Sequence, residues 1–428
     1  MRILVVGGGG REHALSWALH RDLPHATLFA APGNPGTALL GTNLPIDVAR
    51  PDAVPEAARA HNIDLVVIGP EAPLAAGLAD GLRAGGHRVF GPSRASARIE
   101  SSKAFAKDVM AKAGVPTAGS RAFTELDPAL RYVAAHPEPL VVKASGLAAG
   151  KGVLVCPTRD DARAALRAML AEGRFGDAGR EVLVEEFLEG EELSVLALTD
   201  GERMVVLPAA QDHKRIGEGD TGPNTGGMGA YCPVSLWTPA LLERVRREVL
   251  RPTLRELAAR GAPYAGVLYA GLMIAPDGTP YVLEFNCRFG DPEAQAVLPV
   301  LPGGLAGHLM GIADGSWRPS EDAIPAARCA VTTVLAAPGY PDRPEVGAAI
   351  DLPADPGPDV LVFHAGTYRD PDGELRVHGG RVLSVTGLGT SIPEAATRSR
   401  AAGERVRFQG KQVRSDIGWR EIRRAGAA

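Results

Sequence analysis

The stretch from residue 281 to residue 293 carries the residue types best suited to phosphoryl transfer. It reads Tyr-Val-Leu-Glu-Phe-Asn-Cys-Arg-Phe-Gly-Asp-Pro-Glu, so alternation along a strand would place Glu284, Asn286 and Arg288 on one face. Carboxylate and amide oxygens suit Mg²⁺, which takes its other ligands from water and substrate phosphates. A neighbouring arginine can neutralise charge that develops during the reaction. The pattern predicts a reaction surface; the alternative is a structural glutamate–arginine pair.

A glycine-rich loop at residues 145–152 joins two apolar runs that are typical of strands. It reads Ser-Gly-Leu-Ala-Ala-Gly-Lys-Gly, with Lys143 just before it and Lys151 inside it. It is not a Walker loop, because its first two glycines are too close together and no Ser or Thr follows Lys151. Backbone N–H groups and lysines suit nucleotide phosphates. We therefore predict a flap over a triphosphate, in preference to a surface hairpin.

Lysine is rare in this chain, which uses arginine as its usual cation. Lys and Arg together number 46, and the lysines stand only at positions 103, 107, 112, 143, 151, 214 and 411. A lysine kept against this bias can act as a compact point charge at a phosphate. Those at 103, 143, 151 and 214 adjoin motifs, whereas those at 107, 112 and 411 are predicted to be solvated at the surface.

Residues 2–91 alternate apolar strands with helical stretches, which is typical of a parallel, doubly wound sheet. The first strand leads into four glycines at 7–10, with Arg11 beside the start of a helix predicted over Glu12–Leu19. The glycines do not match the dinucleotide fingerprint, because Glu12 or His13 replaces its third glycine. A glycine turn at a helix N-terminus suits one phosphate monoester; the alternative is a tight turn without a ligand.

Two further polar segments admit more than one interpretation. Residues 185–192 read Glu-Glu-Phe-Leu-Glu-Gly-Glu-Glu between predicted strands, which suits either purine and ribose contacts or a solvated acidic turn. Residues 211–215 read Gln-Asp-His-Lys-Arg, and the glycine-dense loop 220–229 is either an anion-binding loop or an exposed linker. His213 has neighbours of both charges, so its role as acid, base or donor stays open.

Composition argues against several classes of function. A length of 428 residues corresponds to about three domains. The net charge of -4 disfavours nucleic acid as a partner, and no apolar run approaches the roughly 18 residues of a membrane span. The 4 cysteines stand far apart without a CxxC pair, which disfavours disulfides and zinc. We expect a cytoplasmic protein that acts on small molecules, with neither nucleic acid nor membrane as a partner.

In their order along the chain, these motifs resemble those of glycinamide ribonucleotide synthetases, a family of the ATP-grasp superfamily. The similarity runs from residue 1 to about residue 422, and Arg288–Gln295 is its most specific part. After the N-terminal glycine turn, the motifs are Ser-Lys-Ala-Phe at 102–105, the flap at 143–152, the acidic segment at 185–192, Gln-Asp-His-Lys-Arg at 211–215, Gly-Pro-Asn-Thr-Gly-Gly-Met-Gly at 222–229, Arg-Phe-Gly-Asp-Pro-Glu at 288–293, His-Ala-Gly-Thr at 364–367 and Gly-Gly-Arg-Val-Leu at 379–383.

The resemblance implies an ATP-dependent ligase of purine biosynthesis. ATP would phosphorylate the carboxylate of glycine, and the amine of 5-phosphoribosylamine would attack the glycyl phosphate. The products would be glycinamide ribonucleotide, ADP and phosphate, with Mg²⁺ or Mn²⁺ as the metal. An acyl phosphate hydrolyses readily, so the flap would serve to exclude water.

The resemblance also implies roles for individual residues. Glu284 and Asn286 would bind the metal, and Arg288, Asp291 and Lys143 would be catalytic. ATP would contact Lys103, Lys143, Gly146, Gly150, Lys151, Gly152, Glu185, Glu186, Phe187, Leu188 and Glu192. The other substrates would contact Gly9, Gly10, Arg11, Glu12, His13, Asn34, Glu71, Asp212, Lys214, Asn224 and Thr225. One departure is Ser145, where the family more often has Asp, so the role of that position is open.

The resemblance implies an α/β fold in three parts and a protein that acts as a monomer. An N-terminal substrate-binding domain with a doubly wound parallel sheet would span 1–101, an ATP-grasp domain 102–327 with a flap subdomain at about 121–188, and a small β-rich domain 328–428. The alternatives are a carboxylase of the same superfamily that uses bicarbonate, a nucleotide-binding regulator and a redox enzyme. Arg288–Gln295 disfavours the carboxylase, the reactive face at 284–288 disfavours a mere binder, and the missing fingerprint disfavours redox chemistry.

Overall fold

A five-stranded parallel sheet of order β3-β2-β1-β4-β5 opens the chain. The computed structural model describes residues 1–50, 52–148, 150–320 and 322–427, so that Ala149 of the expected flap lies outside it. The elements are β1 Arg2–Gly7, α1 Gly10–Asp22, β2 Thr27–Pro32, β3 Thr42–Asn43, α2 Ala53–Ala60, β4 Leu65–Ile68, α3 Glu71–Ala76, α4 Leu78–Ala84, β5 Val89–Phe90 and α5 Arg94–Ser101. The doubly wound sheet is confirmed. The sequence near residues 74–83 predicts a single helix; this prediction is wrong, because Gly77 at φ 94° separates α3 from α4.

Two antiparallel four-stranded sheets follow, of order β6-β9-β7-β8 and β11-β10-β16-β17. The elements of this part of the chain are α6 Lys103–Ala113, β6 Ser120–Phe123, α7 Leu126–Ala135, β7 Leu140–Ala144, β8 Val153–Cys156, α8 Arg159–Leu166, β9 Val182–Glu186, β10 Glu191–Thr199, β11 Met204–Val206, β12 Gln211–Asp212, β13 Arg215–Gly217, β14 Thr221–Asn224, β15 Gly229–Cys232, α9 Pro239–Val245, α10 Arg251–Ala259, β16 Gly266–Ile274, β17 Pro280–Asn286, α11 Glu293–Val300 and α12 Leu305–Asp314. Of these, β13 and β14 form a two-stranded sheet of their own. The sheet β6-β9-β7-β8 encloses a hydrophobic core of its own together with α7 and α8.

A five-stranded sheet of order β12-β15-β18-β22-β19 closes the molecule. Its own elements are β18 Cys329–Ala336, β19 Val360–His364, β20 Thr367–Arg369, β21 Leu375–Val377, β22 Arg381–Gly389, α13 Ile392–Arg405 and α14 Trp419–Ala427. The strands β12 and β15 enter this sheet from the middle of the chain, so it spans the boundary expected at 327. The division into three domains stays a prediction.

The helices α11 and α12 are apolar enough to be considered together as a membrane span. No single described helix is long and apolar enough to cross a membrane, and this pair passes that test only when joined, although it bends by 108°. Both helices contribute to a hydrophobic core that they share with the N-terminal sheet and with α1. Packing against α1 brings the segment just before α11 close to the first glycine turn.

Candidate active site

The ammonium groups of Lys143 and Lys107 share one carboxylate oxygen of Glu185. The Nζ atom of Lys143 lies 3.0 Å from Oε2 of Glu185 and donates to the carbonyl oxygen of Leu283 at 3.0 Å. Leu283 is the extra residue of a β-bulge between β16 and β17, which leaves its carbonyl free of the ladder. The Lys107 side chain is only 10% exposed and lies 3.2 Å from Glu185. The predicted surface position of Lys107 is therefore wrong, because the side chain turns inward towards a buried carboxylate.

Lys103 lies at the first turn of α6, against the start of the flap. Its Nζ atom donates to the carbonyl oxygen of Gly146 at 3.1 Å. The Oγ atom of Ser145 accepts the N–H of Ala104 at 3.2 Å, so this hydroxyl helps to cap α6. Burial lowers the pKa of Lys103, and Glu284 opposes the shift.

Glu284 and Asn286 stand two residues apart near the end of β17. Burial would raise the pKa of Glu284, but Lys214, Lys103 and Lys143 outweigh it, so the pKa is lowered and the carboxylate stays ionised. Among the described residues, no cluster of three or more His, Cys, Asp and Glu side chains could hold a metal. A metal here would therefore take two protein oxygens and complete its shell from water and phosphates, which fits Mg²⁺ chemistry.

Arg288 lies between two carboxylates. Its Nε atom is 3.2 Å from Glu71, its Nη2 atom is 3.0 Å from Glu100, and Nη1 donates to the carbonyl oxygen of Phe289 at 3.2 Å. Burial opposes the charge on the guanidinium, but Glu100 and Glu71 raise its pKa. Glu100 also accepts the N–H of Cys287 at 2.8 Å. Glu100 thus fixes both the side chain of Arg288 and the backbone just before it.

Asp291 connects three distant parts of the chain. Its Oδ1 atom lies 3.3 Å from Nη1 of Arg381 and accepts from Nε2 of Gln295 at 2.8 Å. Its Oδ2 atom accepts the N–H of Arg11 at 3.4 Å. The same Nη1 of Arg381 also donates to the carbonyl oxygen of Gly226 at 2.5 Å. Burial raises the pKa of Asp291, but Arg381 and Arg11 outweigh it, so the pKa is lowered.

The N-terminus of α1 is already occupied by carboxylates. Glu12 accepts the N–H of Gly9 at 2.7 Å and also pairs with Nε of Arg11 at 2.6 Å. A Cβ atom at Gly10 would lie 2.5 Å from Nε2 of Gln295, so this amide would have to shift to admit any other side chain. A phosphate monoester at this turn would have to replace one of these carboxylate contacts.

Asn34 and His13 join the first crevice to the C-terminal sheet. The Nδ2 atom of Asn34 donates to the carbonyl oxygens of Gly9 at 3.3 Å and His364 at 2.8 Å. The Nδ1 atom of His13 accepts the N–H of His364 at 2.9 Å. Burial lowers the pKa of His13 to about 3 and that of His364 to about 4, so both imidazoles are neutral at pH 7.

Lys214 pairs with Glu192 at 2.8 Å, which joins the loop after β12 to the start of β10. Burial raises the pKa of Asp212 to about 8, although Lys214 opposes the shift. The Oγ1 atom of Thr225 donates to the carbonyl oxygen of Lys214 at 2.8 Å, and Asn224 precedes it at the end of β14. Asp212 and Lys214 both interact electrostatically with Glu284, whose charge contributes to the pKa shift of each.

The flap tip lies over the loop around Thr225. A Cβ atom at Gly150 would lie 3.5 Å from the carbonyl oxygen of Thr225. The Nζ atom of Lys151 donates to the carbonyl oxygen of Pro341 at 2.6 Å, and the carbonyl of Gly152 accepts the N–H of Ala144 at 2.8 Å. The two strands predicted on either side of the glycine-rich loop are confirmed, and they pair with each other as β7 and β8.

The residues after Glu185 lie at the end of β9, where the chain leaves the sheet β6-β9-β7-β8 and continues to β10. Glu186 is exposed and accepts the N–H of Gly119 at 3.2 Å. The side chain of Phe187 is 39% exposed, and Leu188 is half-buried. An exposed aromatic side chain beside a half-buried aliphatic one offers a surface on which a planar base can stack.

His213 has a structural environment. Its Nε2 atom accepts the N–H of Gly418 at 3.0 Å, and its Nδ1 atom lies 3.6 Å from Asp220. Asp220 also pairs with Arg414 at 2.9 Å. Burial lowers the pKa of His213, although Asp220 opposes the shift. His213 thus ties the C-terminal segment to the loop that carries Lys214.

Comparison with known proteins settles the family. Three family descriptions match consecutive parts of the chain: the N domain of phosphoribosylglycinamide synthetase at residues 1–100, its ATP-grasp (A) domain at 101–294 and its C domain at 330–420. The chain is 45% identical over 427 residues to the phosphoribosylamine--glycine ligase of Salmonella typhimurium, covering 99% of each chain. The chain belongs to the phosphoribosylglycinamide synthetase family. It is also 47% identical over 436 residues to the phosphoribosylamine--glycine ligase of Mesorhizobium japonicum, and the match covers 100% of each chain.

Solved structures agree with the phosphoribosylglycinamide synthetase fold. A phosphoribosylamine--glycine ligase from Thermotoga maritima is 36% identical, with a TM-score of 0.85 and coverage of 97% of this chain and 100% of the other. A biotin carboxylase from Campylobacter jejuni is 15% identical, with a TM-score of 0.72 and coverage of 97% and 93%. The second likeness shows the fold alone; the ATP-grasp domain is shown by the family match at residues 101–294.

In this member of the phosphoribosylglycinamide synthetase family, sequence reasoning missed four contact residues of the site. They are Lys107, Glu100, Gln295 and Arg381, and each contacts a residue that the motifs had identified. The scarcity of lysine could have drawn attention to Lys107. Arg381 lies within a motif that carried the resemblance, but nothing in its spacing indicates a contact with Asp291.

Proposed function

We propose that the chain is an ATP-dependent ligase that joins glycine to 5-phosphoribosylamine in purine biosynthesis. The products are glycinamide ribonucleotide, ADP and phosphate. The observation that carries this proposal is similarity along the whole chain to proteins named phosphoribosylamine--glycine ligase, at 45% identity over 427 residues for one of them. The bicarbonate-dependent carboxylase is the weaker candidate, because at 15% identity the likeness extends only to the fold.

ATP is proposed to lie between the two four-stranded sheets, with its phosphates at Lys103 and Lys143. A lysine ammonium has three donors. In the described contacts, Lys143 uses two donors on Glu185 and Leu283, so one remains for a phosphate oxygen. We assign the flap glycines Gly146, Gly150 and Gly152 with Lys151 to the phosphates, Glu185, Glu186, Phe187 and Leu188 to adenine, and Glu192 to ribose.

ATP-grasp enzymes use ATP with a divalent metal, and Glu284 and Asn286 are the residues proposed to hold it. Their oxygens fit Mg²⁺ or Mn²⁺, and the lowered pKa of Glu284 keeps the ligand ionised. When bound, the metal neutralises phosphate charge during transfer. The lysines around this site also offset part of the negative charge on the phosphates.

The reaction is proposed to proceed in two displacements. A carboxylate oxygen of glycine attacks the γ-phosphorus of ATP, and ADP leaves; the amine of 5-phosphoribosylamine then attacks the acyl carbon, and phosphate leaves. Arg288 has N–H groups beyond those used by Glu71, Glu100 and Phe289, and we assign them to the oxygens on which charge develops. The flap excludes water from the acyl phosphate.

The remaining substrate contacts are proposed for two loops. Asp212, Lys214, Asn224 and Thr225 would surround glycine beside the metal, and Asp291 would lie where the two substrates meet. The ribose phosphate would enter the crevice formed by Gly9, Gly10, Arg11, Glu12, His13, Asn34 and Glu71. Entry of the phosphate must displace a carboxylate from the α1 N-terminus, so we expect the side chain of Glu12 to move when this substrate binds.

Release of ADP by the purified chain tests the function. The chain, with Mg²⁺ and ATP, is given glycine, phosphoribosylamine generated in situ, or both. ADP release that requires both substrates is the expected result. Release stimulated by bicarbonate without glycine would instead identify a carboxylase, and no release would favour a binding protein. We also propose that the protein is a cytoplasmic monomer without nucleic-acid or membrane partners. Light scattering of the purified chain tests whether it is a monomer.

A further inference from the structure

The ammonium group of Lys107 contacts three hydrogen-bond acceptors. Its Nζ atom donates to Oγ1 of Thr117 at 2.9 Å and to the carbonyl oxygen of Ala118 at 3.0 Å, and it lies 3.2 Å from Oε2 of Glu185. Three acceptors match the three donors of an ammonium. Lys107 therefore has no donor left for a nucleotide, in contrast to Lys143.

The carboxylate of Glu185 is shared between two ammonium groups at one oxygen. Lys107 lies 3.2 Å and Lys143 3.0 Å from the same Oε2 atom. Two cations against one anion leave one net positive charge beside the phosphate site. Without Lys107, the buried Glu185 would neutralise Lys143 alone, and the attraction of this group for phosphates would fall.

Lys107 also reaches the strand that carries the metal ligands. Thr117, its hydrogen-bond acceptor, donates through Oγ1 to the carbonyl oxygen of Val282 at 2.7 Å. The next carbonyl along β17, that of Leu283, accepts from Lys143. One cation thus connects α6, β9 and β17 at the point where Lys143 is held.

We propose that Lys107 is a positioning residue for nucleotide binding, which acts through Glu185 to keep the charge and place of Lys143 available to ATP phosphates. This inference rests on the proposed function, since it assumes that ATP binds between the two sheets. It adds a residue that does not touch the nucleotide. Lys107 differs in this from Lys103, whose ammonium uses one donor on Gly146 among the described contacts.

The test is ADP binding measured by calorimetry with Mg²⁺ and without glycine or phosphoribosylamine. We expect Lys107→Gln, which keeps an amide donor but loses the charge, to weaken ADP binding by roughly tenfold, corresponding to about 1.4 kcal/mol. The KM for ATP should rise in parallel, while the KM for glycine stays within about twofold. Lys112→Gln, an exposed substitution on the same helix, is the matched control and should leave binding unchanged.

A double variant separates this role from simple damage to the fold. Adding Glu185→Gln to Lys107→Gln removes the unneutralised carboxylate, so ADP should bind more tightly than to Lys107→Gln alone. Wild-type ADP affinity in Lys107→Gln, or still weaker binding in the double variant, would overturn the proposal. If Lys107→Gln does not fold, the double variant is compared with Glu185→Gln. Because Lys107 acts through the Glu185 carboxylate, the two should bind ADP within about twofold of each other, and a loss of roughly tenfold in the double variant would overturn the proposal. Because ADP binding needs no acceptor substrate, failure of the ligase assay and failure of this inference are distinguishable.

Discussion

At the scale of single residues, Glu284 is the proposed metal ligand whose ionised form the surrounding lysines favour. Its pKa is lowered by Lys214, Lys103 and Lys143 despite burial, so Glu284→Gln removes a charge that the folded protein keeps. We expect turnover to fall by roughly 100-fold or more and the Mg²⁺ requirement to rise. Kinetics over a Mg²⁺ titration check this, with the exposed Asp277→Asn on the preceding turn as the control. Wild-type Mg²⁺ dependence in Glu284→Gln would remove it from the metal site.

Glu100 gives a second prediction at this scale, because it pairs with Arg288 and also accepts the N–H of Cys287. We expect Glu100→Gln to keep the amide contact, to cost about 1–3 kcal/mol in the free energy of unfolding, and to lower kcat. Denaturant unfolding and steady-state kinetics measure both effects. Glu56→Gln breaks an exposed pair with Arg50 and should cost less than about 0.5 kcal/mol. Equal losses in the two variants would show that the buried pair has no special role.

The motifs predicted which residues would face the reaction, but not how they are held. Glu284 and Asn286 follow from alternation along one strand, because period-two spacing is local. The contacts of Arg288 with Glu100 and of Asp291 with Arg381 join residues far apart in the chain, and nothing in local spacing predicts them.

At the scale of elements, the apolar runs at Leu140–Ala144 and Val153–Cys156 predict two strands, and β7 and β8 have these same ends. Apolar runs bounded by glycine-rich loops are strong strand signals. The bulge at Leu283 was not predicted, since an added residue in one strand is visible only against its partner β16. That bulge supplies the carbonyl that holds Lys143. The sequence at residues 162–171 also predicts a helix. The observed helix begins earlier, at Arg159, and gives way to a π-helical turn at Arg167–Ala171.

The flap gives a prediction for an element. The contact of Lys151 with the carbonyl oxygen of Pro341 holds the flap tip against the C-terminal part of the molecule. We expect Lys151→Met to loosen flap closure, so water reaches the acyl phosphate and more ADP forms per glycinamide ribonucleotide. The ratio of the two products measures this uncoupling. Val155→Ser, exposed on the same hairpin, should leave the ratio near one, and an unchanged ratio in Lys151→Met would argue against a role in excluding water.

At the scale of the whole molecule, the N-terminal parallel sheet and the C-terminal five-stranded sheet meet beside the candidate active site. The last sheet includes β12 and β15 from the middle of the chain, so the order of elements along the sequence does not reveal which strands pair. α1 contacts β19, and His13 accepts the N–H of His364 at this junction. Fold class could be predicted from periodicity and motifs; this junction could not, because it depends on packing between distant segments.

The junction predicts how stability depends on pH. The pKa values of His13 and His364, about 3 and about 4, lie below the 6.5 of an unperturbed histidine, so the unfolded chain binds protons that the folded chain does not. Neither histidine affects stability above pH 7; stability falls as pH drops below about 6.5 and continues to fall towards the folded pKa values.

We therefore expect the free energy of unfolding to fall by several kcal/mol between pH 7 and pH 4.5, and His13→Gln to reduce this slope. Denaturant titrations across that range measure it. His25→Gln, at an exposed position, is the control and should keep the wild-type slope. A His13→Gln slope equal to that of wild type would mean that other groups govern the response to acid. A reduced slope would show that neutral His13 makes the contact between the N-terminal and C-terminal sheets sensitive to acid.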